Sequence, residues 1–145
     1  MSAYADTSFL FSLYVQQAHS PVAAAYMAAT EDEPLAITSL NRFELANAIR
    51  LSVFRKLLDR QMAAADLKMM EKDIAASVLA LTPCDWPAVH AKVEELSSER
   101  TSKAGHRTMD LLHVASALVL SVSDFLTFDQ NQAELASFSG LTVKP

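Results

Sequence analysis

Glycine is scarce in this 145-residue chain, with only Gly105 and Gly140. Glycine-rich phosphate loops of either common type need several glycines close together, so neither can be built. Cysteine is scarcer still, and Cys84 stands alone. A disulfide framework and a cysteine zinc cluster are both excluded, which fits a reducing cytosol and a cytoplasmic protein. No His/Cys spacing suits zinc either. Long hydrophobic runs are absent as well. The longest, Leu111 to Val122, is interrupted by His113, Ser116 and Ser121 and is too short to span a bilayer. The N-terminus has no basic segment and carries Asp6 inside its apolar stretch, which argues against a signal peptide. Positive charge is in deficit too: the formal net charge is −5, a poor match to nucleic acid at face value. That objection weakens if four acids are gathered in one metal site, because the remaining charge then falls from −5 to −1.

What is present is a chain with 51% hydrophobic and 20% charged residues, the balance of a globular fold, and its length suits a single domain over residues 1–145. Short apolar segments at Ala3–Asp6, Leu35–Thr38, Val78–Pro83, Asp124–Phe128 and Leu141–Val143 read as strands. Helices are expected between them. One runs from Phe9 to Val15, capped by Thr7 or Ser8, and one starts at Ser20-Pro21. Others run from Ser39 or Leu40 to Leu57, from Arg60 to Ser77, and from Asp85-Trp86-Pro87 to Arg100. Thr108 caps one over Met109–Leu120, and a last one covers "QNQAELASF". Strands alternating with helices predict an α/β fold with a parallel sheet covered on both faces. In such sheets, sites lie beyond the carboxyl ends of the strands.

That rule sorts the acids. Asp6 ends the first strand and Asp129 follows "FLTF", so both pass. Asp124 begins the strand that Asp129 ends, roughly 16 Å away at about 3.3 Å per residue, and is rejected. Asp110 sits in the first turn of the apolar helix "TMDLLHVASALVL", where the helix dipole also favours an acid, so alone it has two readings. Glu44 shares a helical stripe with Asn41 and Asn47, while Phe43, Ala46, Ile49, Val53 and Leu57 form the expected core face. Four acids packed together without a cation would force some to stay protonated. Magnesium or manganese, which favour oxygen ligands, would resolve the conflict. Asp6 then sits in an apolar setting because it holds a metal, with Thr7 or Ser8 orienting it.

The segments "YADTSFL", "FELANAI", "RTMDLLHVASAL" and "FLTFDQNQAELA" together resemble the motifs of PIN-domain ribonucleases, and the nearest likeness is to VapC-type toxins of type II toxin–antitoxin systems. The resemblance covers nearly the whole chain and implies a three-layer α/β/α sandwich with a short parallel sheet. It implies Mg2+- or Mn2+-dependent endonucleolytic cleavage of RNA, with one or two ions, in a homodimer that meets a small antitoxin. The acidic quartet of the family carries over onto Asp6, Glu44, Asp110 and Asp129. Thr7, Ser8 and Thr127 match the accompanying hydroxyl positions. Asp6 and Asp110 are the expected direct ligands, with Glu44 and Asp129 ligating directly or through water. His113, three residues after Asp110, is either a hydrogen-bond partner of that carboxylate or a core histidine. Asn47 is expected to support Glu44. Arg42, Lys103, His106 and Arg107 are candidate phosphate contacts, with ordinary surface charge as the other reading. His19 and His90 read as isolated surface residues. "LSVFRKLLDRQMAAADLKMM" is apolar enough for an antitoxin groove, and Met62, Met69 and Met70 within it read as core or dimer packing.

Rival readings are a HAD-type phosphatase, a PIN-fold nuclease for RNA processing outside toxin systems, and a non-catalytic PIN-fold binding module. The phosphatase needs a second acid two residues after the first, where this chain has Ser8.

Overall fold

The computed structural model describes residues 2–145, and among them five strands form one parallel sheet in the order β3-β2-β1-β4-β5. The strands are β1 (Ala3–Ala5), β2 (Leu35–Ile37), β3 (Leu79–Leu81), β4 (Asp124–Leu126) and β5 (Thr142–Lys144). Each is shorter than or offset from its expected span. The flanking polar residues Asp6, Thr38 and Thr127 close the strands: the Asp6 and Thr127 N–H groups still bond across to Leu126 and Lys144, while all three side chains turn to other work. Among the described residues no helix is long and apolar enough to cross a membrane.

Alternation along these short strands creates two cores and so three layers. On one face Ala3, Ala5, Leu35, Ile37, Leu79 and Leu126 join one buried cluster. It is covered by α1 (Thr7–Tyr14), α2 (Ser20–Ala29), α3 (Ser39–Phe54) and α4 (Arg60–Ala75). On the other face Tyr4 and Phe125 join a second cluster. That one is covered by α5 (Trp86–Leu96), α7 (Thr108–Val119) and α8 (Gln130–Phe138). The three-layer α/β/α sandwich expected from the sequence is therefore the architecture found.

The helix expected to reach Arg100 changes character near its end. After α5 the chain forms a π-helical turn (Ser97–Thr101) and a single further turn, α6 (Ser102–Ala104). Within that turn Arg100 meets Glu134 of α8 at 2.7 Å and lies 4.2 Å from the ring centre of Phe138. Gly105, in the left-handed region at φ 72°, then reverses the chain into α7.

The expected core face of α3 is corrected. Ala46 and Ile49 are buried, but the inner face is completed by Leu40, Asn41 and Leu45, while Phe43 is 62% and Leu57 78% exposed. An apolar count cannot choose between two faces that both carry apolar residues. The buried amide of Asn41 decides the phase. Its Nδ2 donates to the Ala5 carbonyl at 2.8 Å, and its Oδ1 accepts from the Thr38 backbone N–H at 2.7 Å and hydroxyl at 2.9 Å. One side chain thus ties β1, the end of β2 and the first turn of α3. In α4, Met70 is core while Met62 and Met69 are about half exposed.

The chain leaves β1 for β2 on one side of the sheet and returns to β4 on the other. The carboxyl ends of β1 and β4 therefore flank a topological switch point, where the first turns of the following helices splay apart and leave a crevice.

Asn41→Ala is expected to cost about 2 kcal/mol of unfolding free energy, because buried partners are left unsatisfied. Urea denaturation with an unchanged slope and a lowered midpoint is the measurement.

Candidate active site

A cavity of about 370 Å3 opens at the switch point, walled by Asp6, Glu44, Asp110 and Asp129 together with Thr7, Ser8, Arg107, His113 and Gln132. Three of the four acids come from helix starts or first turns, and Glu44 comes from the second turn of α3. Asp6 is the N-cap of α1, its Oδ1 accepting from Phe9 N–H at 3.1 Å. This corrects the expectation that Thr7 or Ser8 caps that helix. Asp129 is the N-cap of α8, accepting from Gln132 N–H at 3.0 Å. Asp110 lies in the first turn of α7, where its Oδ2 accepts from the Arg107 backbone N–H at 3.2 Å. Three helix N-termini thus point at the cavity, and their partial positive charge offsets part of the repulsion between the acids.

Asp6 is the centre of the hydrogen-bond network. It is 2% exposed, and burial raises its carboxyl above the ordinary range, against the pull of Thr127, Ser8, Phe9 N–H and His113. The Thr127 hydroxyl donates to Oδ2 at 2.6 Å and accepts from Asp129 N–H at 3.0 Å. The Ser8 hydroxyl donates to Oδ1 at 2.7 Å and accepts from Phe128 N–H at 3.0 Å. These two hydroxyls lace the segment after β4 to the segment after β1.

Glu44 is held from another direction. His113 is buried, with Nδ1 at 2.8 Å from the Tyr4 hydroxyl and Nε2 at 3.2 Å from both Glu44 oxygens. A neutral ring must carry its proton on Nε2 to donate to Glu44, which leaves Nδ1 to accept from Tyr4. Burial raises the Tyr4 phenol, so it keeps the proton it donates. Burial also pushes the Glu44 carboxyl up, but the His113 hydrogen bond and charge, with Thr7 and Arg107, outweigh it and hold the group below its usual range. His113 is therefore a partner of Glu44 rather than of Asp110. Thr7 lies 3.4 Å from the same Nε2.

The basic residues divide. Arg107 is on the cavity wall, 3.3 Å from Asp110 and 3.9 Å from Asp129, with its side chain 74% exposed. Arg42 is not. It forms a two-pronged pair with Glu71 of α4, both contacts to its Nη2 being 2.8 Å. Residues two apart on a helix do not share a face, so Arg42 points away from Glu44. Lys103 is exposed and off the cavity wall, separated from Arg107 by the Gly105 reversal. His106 is buried, and its ring nitrogens have no hydrogen-bond partner among the described residues, so it presents nothing to a phosphate. Asn47 is exposed and outside the cavity. It lies one turn farther along α3 than Glu44, about 4.5 Å away from the sheet edge. Asp124 pairs with Lys144 at 2.8 Å at the amino end of β4, as its rejection requires.

Gln132 was missed by sequence reading. It is 3% exposed on the cavity wall, and its Oε1 has no hydrogen-bond partner among the described residues. Its position three residues after the capping Asp129 was the available signal.

Among the described residues no three His, Cys, Asp or Glu side chains close into a ligand cage. The walls instead supply separated oxygen donors around open space, plus one orphaned amide oxygen. That donor set fits magnesium or manganese, which use few carboxylates and keep several waters, and it does not fit zinc.

The PIN domain family model matches residues 3–137. The chain belongs to the PIN domain family. PIN domains are generally nucleases. Similar solved structures span nearly the whole chain. PAE2754 from Pyrobaculum aerophilum is 19% identical with a TM-score of 0.67, over 99% of this chain and 83% of that one. VapBC-1 from nontypeable Haemophilus influenzae is 12% identical with a TM-score of 0.66, over 99% and 97%. FitAcB from Neisseria gonorrhoeae is 18% identical with a TM-score of 0.66, over 99% and 96%. At these identities the likeness establishes a shared PIN fold. No curated protein sequence matches significantly.

Because its native carboxyl is raised, the folded PIN domain binds the Asp6 proton more tightly than the unfolded chain does. Stability from this group is fully present below the unfolded pKa. It declines as pH rises through the native pKa and stays lost above it. At pH 8 in EDTA, Asp6→Asn is therefore expected to melt no lower than the parent. Saturating Mn2+ is expected to raise the parent melting temperature by about 5 °C and to leave Asp6→Asn unmoved. Differential scanning calorimetry reads both.

Proposed function

We propose that this PIN domain is a divalent-metal-dependent endoribonuclease and the toxin of a toxin–antitoxin pair. The observation that carries the reading is the gathering of Asp6, Glu44, Asp110 and Asp129 on one cavity wall at the sheet switch point. Asp6 and Asp110 are the direct ligands of this reading, and Asp129 and Glu44 complete the ring. Bound Mg2+ or Mn2+, as one or two ions, would supply activation of a water for in-line attack and neutralisation of charge on the phosphate and leaving oxygen. The residues of the chain do the rest. Thr127 and Ser8 fix both oxygens of Asp6. His113 keeps Glu44 ionised and oriented, fit to accept the proton of the attacking water at a carboxylate oxygen. Arg107, exposed at the rim, contacts the phosphate backbone of RNA.

Partner assignments rest on another face of α3. A groove of about 630 Å3 lies between α3 and α4, lined by Phe43, Ala46, Leu67 and Met70, by the Arg42–Glu71 pair, and by Arg50 and Lys68, whose charges face it. It suits an amphipathic antitoxin segment carrying acids. Phe54, at the end of α3, and Leu57, just after it, are 82% and 78% exposed and suit burial in a homodimer. The structural likeness to VapBC-1 and FitAcB, both toxin–antitoxin assemblies, supports an antitoxin partner. A cytoplasmic location is part of the proposal, since its RNA targets are there.

Asp6→Asn and Asp110→Asn are each expected to lower Mn2+-dependent cleavage of total cellular RNA at least a thousandfold, with unchanged circular dichroism. Full cleavage by either variant contradicts the assignment. Expression of the chain alone is expected to arrest growth, with relief by the neighbouring gene. Cleavage without arrest would instead indicate an RNA-processing PIN nuclease.

A further inference from the structure

A second cavity, also about 370 Å3, adjoins the acidic one and shares Thr7, Ser8 and Asp129 with it. Beyond those three its wall includes Phe11, Gln17, His19 and Phe128. The distinguishing feature is a pile of rings. The His19 imidazole lies parallel to Phe128, with centroids 4.4 Å apart and planes 6° apart. Phe128 stacks in turn on Phe9, at 5.6 Å and 18°. Phe9 is fully buried and meets Tyr26 edge-on. The platform is thus anchored in the core, and its last ring is exposed.

The His19 carbonyl accepts from the Val22 and Ala23 N–H groups at the start of α2, but among the described residues the side chain of His19 makes no hydrogen bond that would explain this placement. It sits at the N-cap position of α2 without a side-chain capping bond. Among the described residues its ring nitrogens make no hydrogen bond and no ring other than Phe128 lies against it. Phe128, by contrast, is fixed between Thr127 and Asp129, and its N–H donates to Ser8. The stack is therefore built into the same segment that orients Asp6.

We propose that His19, on its Phe128 platform, is a nucleobase-stacking subsite that holds one unpaired base of single-stranded or looped RNA beside the scissile phosphate. Stacking on an aromatic face accepts any base and requires that the base be splayed from its neighbours, which excludes intact duplex. The Nε2 of Gln17 is committed to Ser12 Oγ, leaving its Oε1 to accept from a base-edge amino group. The inference deepens the nuclease reading and rests on it.

The test is fluorescence anisotropy with a labelled single-stranded RNA of random sequence, about 12 nucleotides long, in Ca2+. The parent, His19→Ala and His19→Phe are compared, and 4-thiouridine cross-links are mapped by mass spectrometry. His19→Ala is expected to weaken binding about tenfold without changing the melting temperature. His19→Phe is expected to bind within about threefold of the parent, because an aromatic plane is restored. Cross-links are expected on the peptide carrying His19 or Phe128. Unchanged affinity in His19→Ala, against a saturable parent titration, overturns the subsite alone. Absence of RNA binding by the parent overturns both the subsite and the ribonuclease reading.

Discussion

A buried carboxylate with two hydroxyl donors and a backbone N–H is the constraint around which this structure is arranged. Asp6 would be expensive where it sits without Thr127, Ser8 and Phe9 N–H to solvate it. Those donors do more than satisfy it. Each hydroxyl also accepts a backbone N–H from the segment after β4, so the ends of the two central strands are joined through the acid itself. Even so, burial outweighs the hydrogen bonds and leaves the carboxyl reluctant to ionise. A cation bound there would favour the ionised form.

Topology makes that point unique. A parallel sheet whose connections turn outward on either side of β1 opens a crevice only between β1 and β4. The helices that follow these strands begin at the crevice, and α7 begins there too. Helix starts favour negative charge, so the backbone prepares the place in which acids of distant sequence position are tolerated together. Glu44 has no helix start to lean on, and His113 with Tyr4 behind it takes that role. Arg107 is the only Lys or Arg on the wall among the described residues, and its exposure lets it exchange the acids for another partner.

Legibility from sequence followed a simple physical division. Asp6 and Asp129 were readable because strand ends are local features that the topological rule assigns to one edge of the sheet. Asp110, at a helix start, had two readings until the likeness to PIN-domain ribonucleases chose between them. Glu44 was readable only through the likeness to PIN-domain ribonucleases. Thr127 and Ser8 matched positions in that pattern, and the structure shows their work on Asp6. Arg42, Lys103 and Asn47 were misplaced for geometric reasons. Arg42 is turned away by its helical phase, Lys103 is cut off by the Gly105 reversal, and Asn47 is one turn too far along α3. Gln132 escaped notice because a glutamine in a helix start carries no distinctive chemistry until its burial is seen.

The sequence by itself determined the class of fold, the order of its elements and the kinds of donor available to a site. Hydrophobic periodicity, capping residues and the near absence of glycine and cysteine are all properties of short stretches of chain. Only the tertiary structure decided that His113 serves Glu44 rather than Asp110, that Asn41 rather than Asn47 is the buried amide, and that His19 stacks beside the acids. Those outcomes depend on which helix face meets the sheet and on contacts across 36 to more than 100 positions, and no local pattern encodes either.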